Sequence, residues 1–211
     1  LLVFCVDLQV HPNTIAKDCR EKLRHVRHAE ATSKTWVYPN VVHKHYINQD
    51  TVRRLKAFYT DTKGVPGLEQ WLGKQNLSKH VAGAESWSVF HLVPVGIPGT
   101  DVDFNTAEDV LELISQLTET LVELHKRGWT HLDIRLSNVV LFEPKGKQRR
   151  WFLVDSEYGT RVGDQVPEKR YTEAYVGKQA SPEHDLDQLG RMAAKLAASM
   201  TNRCVRIRAI L

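Results

Sequence analysis

Four side chains in the second half of the chain have types and spacing that chemistry could use. Asp133, Arg135 and Asn138 lie close together in Gly128-Trp-Thr-His131-Leu-Asp133-Ile-Arg135-Leu-Ser-Asn138-Val-Val-Leu141. Asp155 follows seventeen residues after Asn138, at the end of the apolar run Trp151-Phe-Leu-Val154. A His-x-Asp step with Asn five residues after the Asp is the pattern of a phosphoryl-transfer loop. A second acid, delivered to the same place by a strand, is what a metal–nucleotide site requires. Taken singly, each residue has a plainer reading. Asp133 could cap a turn, Asn138 could sit in one, and Arg135 could make a surface ion pair worth little.

The elements around this loop follow from periodicity. Val110, Leu113, Ile114, Leu117, Leu121 and Leu124 recur at helical spacing. Asn105 and Glu108 form a candidate capping box before them, and Gly128 a left-handed cap after them. Val139–Phe142 and Trp151–Val154 read as a hairpin with the basic tip Lys145–Arg150, which would bring Asn138 and Asp155 to one edge. Ser181-Pro182-Glu183 opens another helix, with Leu186, Leu189, Met192, Ala193 and Leu196 on its apolar face.

Upstream, residues 1–12 read as a short strand and Thr14 to about Arg27 as a charged helix with a thin apolar face. Trp36–Tyr38 and Val41–Ile47 are expected to be strands around Pro39-Asn40. Lys44, with apolar neighbours at alternate positions, could be a phosphate ligand; alone it reads more simply as a solvent-facing strand lysine. Asn48 or Asp50 would cap a helix through Val52, Leu55 and Phe58-Tyr59, broken by Gly64-Val-Pro-Gly67. Leu68–Leu72 then reads as a strand, 73–85 as a loop and Ser86–Pro94 as a strand.

Composition narrows the class without naming a partner. The 211 residues fit one large domain or two small lobes, able to bury about 70% of the unfolded surface. Hydrophobic residues at 42% and charged residues at 26% exclude a disordered or fibrous chain. The net charge of +4 is mild, and the basic block Lys17–Arg27 contains Asp18 and Glu21, so it reads as a solvated helix face. Cys5, Cys19 and Cys204 are odd in number and widely spaced, which argues for a reducing compartment over a disulfide framework or zinc site. The apolar start Leu1–Val6 is too short to span a bilayer. The chain begins without Met and is expected to be a piece of a longer product, with a removed targeting segment left open.

With these motifs in order, the sequence resembles the protein-kinase-like superfamily from about Trp87 to Met200. His131-Leu-Asp133-Ile-Arg135-Leu-Ser-Asn138 resembles the H-R-D-L-x-x-x-N loop, Val154-Asp155-Ser-Glu157 the strand entering D-F-G, and Asp185-Leu-Asp-Gln-Leu189-Gly190 the D-x-W-S-L-G helix start. The resemblance implies an α+β, bilobal fold. Residues 1–95 would form a reduced β-rich lobe and 96–211 a truncated helical lobe, with a nucleotide cleft between them. It implies ATP and Mg2+ as cofactors. Asp133 would be the base and Arg135 the neutraliser of phosphoryl charge. Asn138 and Asp155 would be the oxygen ligands of the metal, and Lys44 would reach the α- and β-phosphates. The backbone of Val93 and Val95 would hold adenine. His131 and Asp185 would be scaffolding, the latter a buried acceptor for loop N–H groups.

The departures from the family pattern are specific. No glycine precedes Gly64, so there is no glycine-rich loop before the Lys44 strand. The helix of about Asp50–Thr62 has Asp50 and Asp61 but no Glu to pair with Lys44. Leu132 replaces the loop Arg that meets a phosphorylated activation segment, so that switch is expected to be absent. Glu157 stands where the pattern has Gly, in backbone that Glu is expected to resist, although D-x-E also resembles choline- and aminoglycoside-type kinases.

The expected function is an ATP- and magnesium-dependent phosphotransferase with protein Ser/Thr hydroxyls favoured over small-molecule alcohols as acceptors. The alternative is a pseudokinase that binds nucleotide or a partner. A third reading is a nucleic-acid-binding fragment using Lys145–Arg150, with steep salt dependence, and is disfavoured. No membrane partner is expected, and the expected location is intracellular, cytoplasmic or nuclear.

Overall fold

The computed structural model describes residues 24–26, 33–73, 88–144, 148–167, 175 and 177–208. The strand expected over 1–12, most of the helix expected over 14–27, nearly all of the 73–85 loop and the Lys145–Lys147 tip lie outside these residues.

The fold is mixed α+β, with small antiparallel sheets and three α-helices among the described residues. The largest sheet has the order β1-β2-β3-β5-β4: Arg24–Val26, Ser33–Val37, Val42–Tyr46, Ser88–Val93 and Gln70–Trp71. β2 and β3 are the two strands expected around Pro39-Asn40. Arg24–Val26, expected to close a helix, is a strand paired with Thr35–Val37. A helix with a thin apolar stripe gains little from docking, whereas the open edge of β2 offers ladder bonds. Alternation puts Lys44 and Tyr46 of β3 on the buried face with Phe90 and Leu92 of β5.

Helix α1 (Gln49–Asp61) starts where Asn48 Oδ1 accepts the N–H groups of Asp50 and Thr51 at 2.9 and 3.0 Å. It buries Val52, Leu55, Phe58 and Tyr59. The chain then turns at Gly67, where φ is +71° and a Cβ would lie 2.2 Å from Thr120 Oγ1. Only glycine meets both conditions. Helix α2 (Ala107–Lys126) buries Leu113, Leu117, Leu121 and Leu124. Its capping box is Thr106 with Asp109, one residue beyond the expected Asn105 and Glu108. Asp109 Oδ2 accepts the N–H groups of both Asn105 and Thr106, and Thr106 Oγ1 accepts Asp109 N–H in return.

A three-stranded sheet, β6-β8-β9, contains Ile97–Pro98, Val139–Phe142 and Arg150–Leu153. β7 (Trp129–Thr130) pairs with β10 (Thr160–Arg161). Helix α3 (Pro182–Arg208) buries Leu189, Met192 and Leu196, but Leu186, expected on that face, is 49% exposed. It follows the fully buried Asp185 by about 100° of helix rotation, so burying the acid turns Leu186 outwards. One hydrophobic core joins Tyr46 and Phe90 of the sheet, Phe58 of α1, Leu117 of α2, Trp151 of β9 and Met192 of α3. No helix among the described residues is long and apolar enough to cross a membrane.

Candidate functional site

The loop after β7 is held by its backbone. Asp185, fully buried at the start of α3, accepts His131 N–H at 2.9 Å and Leu132 N–H at 2.7 Å, and its Oδ2 lies 2.9 Å from His125 Nε2. Gln188, one turn on, accepts Ile134 N–H at 2.7 Å and donates to the Leu132 carbonyl at 2.9 Å. These bonds brace Leu132 at a φ of +64°, a conformation a leucine holds only when its surroundings over-determine it. Neither Gln188 nor His125 was singled out from the sequence. A signal for Gln188 existed, since it lies one turn from Asp185 on the same helix face.

The braced loop delivers Asp133 into a 3%-exposed position. Its N–H donates to His131 Nδ1 at 3.3 Å, and Arg135 Nε lies 3.1 Å from its Oδ1. Asn138 Nδ2 donates to Oδ2 of Asp133 at 2.6 Å and to its carbonyl at 3.0 Å. Burial pushes the Asp133 carboxyl above the ordinary carboxylate range, while Arg135, His131 and Asn138 pull the other way without prevailing. A carboxyl raised in this way is a better proton acceptor than an ordinary aspartate.

The hairpin brings the second acid alongside. β8 and β9 pair with Val139 opposite Leu153, and the Asn138 carbonyl extends the ladder by accepting Val154 N–H at 2.9 Å. Asp155 is the next residue, with φ at +68°. Its charge contributes to the raised pKa of Asp133, and Arg135 and His131 both act on Asp155. The structure therefore gathers Asp133, Arg135, Asn138 and Asp155 in one neighbourhood.

Lys44 joins them from the other sheet. Its Nζ donates to Asp155 Oδ1 at 2.8 Å across 111 residues of sequence. The solvent-facing reading of this lysine is therefore incorrect: it is only 8% exposed, on the inner face of β3 opposite Phe90. Burial opposes its charge, but Asp155 and then Glu69 overcome that and raise its pKa. For Asp155 burial opposes the charge as well, and Lys44 overcomes it, so the carboxyl stays below its ordinary range.

Glu69 was missed by the sequence reading, which looked for an acid on α1. It follows the helix, where Leu153 N–H donates to Gly67 O at 2.7 Å and Glu69 N–H to Leu153 O at 2.9 Å. Stitched to β9 in this way and 3% exposed, Glu69 Oε1 accepts Tyr59 O–H at 2.7 Å and Ser156 N–H at 2.8 Å. Asp61, the acid at the helix end, instead pairs with Arg161 at 2.6 Å and accepts Trp129 Nε1–H at 3.2 Å.

The expected difficulty at Glu157 does not arise. The left-handed angle falls on Asp155, and Glu157 sits inside a short 3-10 turn, Ser156–Tyr158. The glycine this segment needs is Gly159, where a Cβ would lie 2.6 Å from the Phe58 ring. Arg54 of α1 ties the turn down by donating to the Glu157 carbonyl at 2.7 Å.

Val93 and Val95 occupy a different segment. Val93 ends β5 opposite Gln70, and Val95 lies in the connection to β6, next to Gly96, which packs on the Leu141 carbonyl. No described hydrogen bond links either to Lys44 or to the 131–138 loop.

Asp133, Asn138 and Asp155 form an oxygen-only donor set, the hard kind that suits magnesium. Among the described residues no group of three or more His, Cys, Asp or Glu side chains could hold a metal ion unaided. A magnesium ion held there would have to draw its remaining ligands from phosphate and water. No protein-family model matches the sequence. A search of curated proteins gives no match either.

Proposed function

We propose that this chain is a protein-kinase-like phosphotransferase that uses ATP and magnesium, with the nucleotide in a cleft between a reduced β-rich lobe and a truncated helical lobe. The observation that carries the reading is the 2.8 Å contact of buried Lys44 with Asp155, beside Asn138 and Asp133. A lysine on a strand, an acid at a hairpin end and a base on a braced loop are the recurring parts of ATP-dependent phosphoryl transfer. Three separate stretches of chain supply them here.

The residues divide the work as follows. Lys44 binds the α- and β-phosphates, exchanging part of its contact with Asp155 for them. The oxygens of Asn138 and Asp155 would hold magnesium, which when bound neutralises phosphate charge. Val93 and Val95 offer backbone groups to adenine. Asp133 orients the acceptor hydroxyl and takes its proton. That oxygen bonds to the γ-phosphorus as the bond from phosphorus to the β–γ bridging oxygen breaks, and ADP leaves with that electron pair. Arg135 offsets charge on the moving group. Protein Ser/Thr hydroxyls are the favoured acceptors.

A second reading has support in the bond from Asn138 Nδ2 to Asp133 Oδ2, which engages one oxygen of the acid with a side chain in place of an acceptor hydroxyl. A pseudokinase could keep that arrangement and bind nucleotide or a partner without transfer. Replacing the base separates the two. In an Asp133→Ala variant the phosphotransferase loses at least about a hundredfold in ATP-dependent transfer, measured with radiolabelled ATP and a mixed Ser/Thr peptide pool, while nucleotide affinity stays within a few-fold. Unchanged turnover removes Asp133 from the mechanism. Absence of turnover in the parent protein, with nucleotide binding intact, favours the pseudokinase.

A further inference from the structure

A groove beside the 133–137 loop bears on which acceptor the protein would take, granted the phosphotransferase reading. A cavity of about 600 Å3 lies between residues 133–137 and helix α3, with Asp133 and Arg135 in its wall. Helix α3 supplies the opposite wall from Gln188 to Ser199, a strip about 16 Å long at the helical rise. Leu136, Met192 and Leu196 give it apolar surface, and Arg191 and Lys195 place charge along it one turn apart.

The two cations differ in how far they are already engaged. Arg191 contacts Asp187 and the Tyr175 hydroxyl, and its guanidinium lies 5.8 Å from the centre of the Tyr175 ring. Lys195, exposed, has no ion pair or hydrogen bond among the described residues. With Arg135 the groove has three cations against two carboxylates, Asp133 beside Arg135 and Asp187 beside Arg191, which leaves Lys195 as its excess charge. Such a groove attracts anions, and its apolar surface strengthens the attraction over that of an open face. Its length matches about five residues of extended chain. A compact alcohol would leave most of the strip empty.

We propose that this groove is the acceptor subsite and that it takes an extended Ser/Thr peptide with acidic residues on one side of the hydroxyl. Lys195 and Arg191 receive the carboxylates, and the hydroxyl lies at the Asp133 end.

The test compares binding by fluorescence anisotropy of two labelled peptides, one with Glu and one with Lys after the same Ser, to the parent protein and to Lys195→Glu. The parent is expected to bind the acidic peptide at least about tenfold more tightly, a preference that weakens with salt and is lost or reversed in the variant. Unfolding temperatures recorded alongside establish that the exposed substitution leaves the fold intact. Equal affinity for the two peptides, or an unaltered acidic preference in Lys195→Glu, overturns the proposal. Thermal shifts with ATP and magnesium in the same samples separate the two levels. A shift without peptide preference sinks this inference alone, and no shift removes the phosphotransferase reading together with the groove's role as its acceptor subsite.

Discussion

Asp185 and Lys44 are both buried charges at the site, yet they are held differently. Asp185 is fully enclosed and has three neighbouring donors: two backbone N–H groups and a His125 ring nitrogen. Among the described residues Lys44 has one hydrogen-bonded partner, Asp155, whose side chain is 34% exposed. The first arrangement is closed and fixes loop geometry. The second has an open side and exchangeable bonds, as a group that binds a ligand must. The comparison teaches that burial of charge alone does not mark a ligand site; the marker is burial with spare capacity facing solvent.

The contrast is sharpened most by removing Asp185. Asp185→Ala leaves two buried backbone donors unsatisfied and releases Leu132 from its braced conformation. It should cost at least about 3 kcal/mol of stability, read by urea or thermal unfolding. Lys44→Met should cost less than Asp185→Ala, on the order of 1–2 kcal/mol, because the Asp155 carboxylate it leaves unpaired has a side chain 34% exposed and can be rehydrated. The same variant should lose its ATP-induced thermal shift. If Lys44→Met proved as destabilising as Asp185→Ala, or bound nucleotide normally, the distinction would fail.

The smallest effect belongs to the outer face of the sheet. His43 stacks on His91 with ring centroids 4.1 Å apart. Burial, then His91 and His45, lowers its pKa from 6.5 to about 4. Between those values the unfolded chain binds more protons than the folded one, so stability falls as pH drops through that window. The ring is only half-buried, so the contribution is less than about 1 kcal/mol. His43→Gln should show a shallower decline than the parent between pH 6.5 and 4 in unfolding temperature; parallel curves would remove His43 as the cause.

What could be read in advance follows a physical division. Asp185 was legible through the resemblance of its helix start to D-x-W-S-L-G, and the β8–β9 hairpin and α2 through local signals, alternation and leucine spacing. The approach of Asn138 to Asp155 followed from the hairpin alone. Glu69 was not legible, since its place depends on Leu153 donating to Gly67 and accepting from Glu69 itself across the sequence. Lys44 failed for a related reason. A period of two says which residues share a face but not which face is inside, and that was decided by α1 and the core beneath β3. The Glu157 expectation erred by placing the left-handed residue two positions late; the structure puts it at Asp155. Likewise, a one-residue slip at the α2 cap separates Asn105 from Thr106, as adjacent cap-forming residues allow.

The central claim is that Lys44, Asn138 and Asp155 together receive a magnesium–nucleotide. A thermal-shift titration with ATP, with and without magnesium, on the parent and on Asp155→Asn tests it most directly. The account predicts a magnesium-dependent rise in unfolding temperature for the parent and none for Asp155→Asn, which should remain folded. Equal rises in both proteins, or none in the parent with magnesium present, would contradict it.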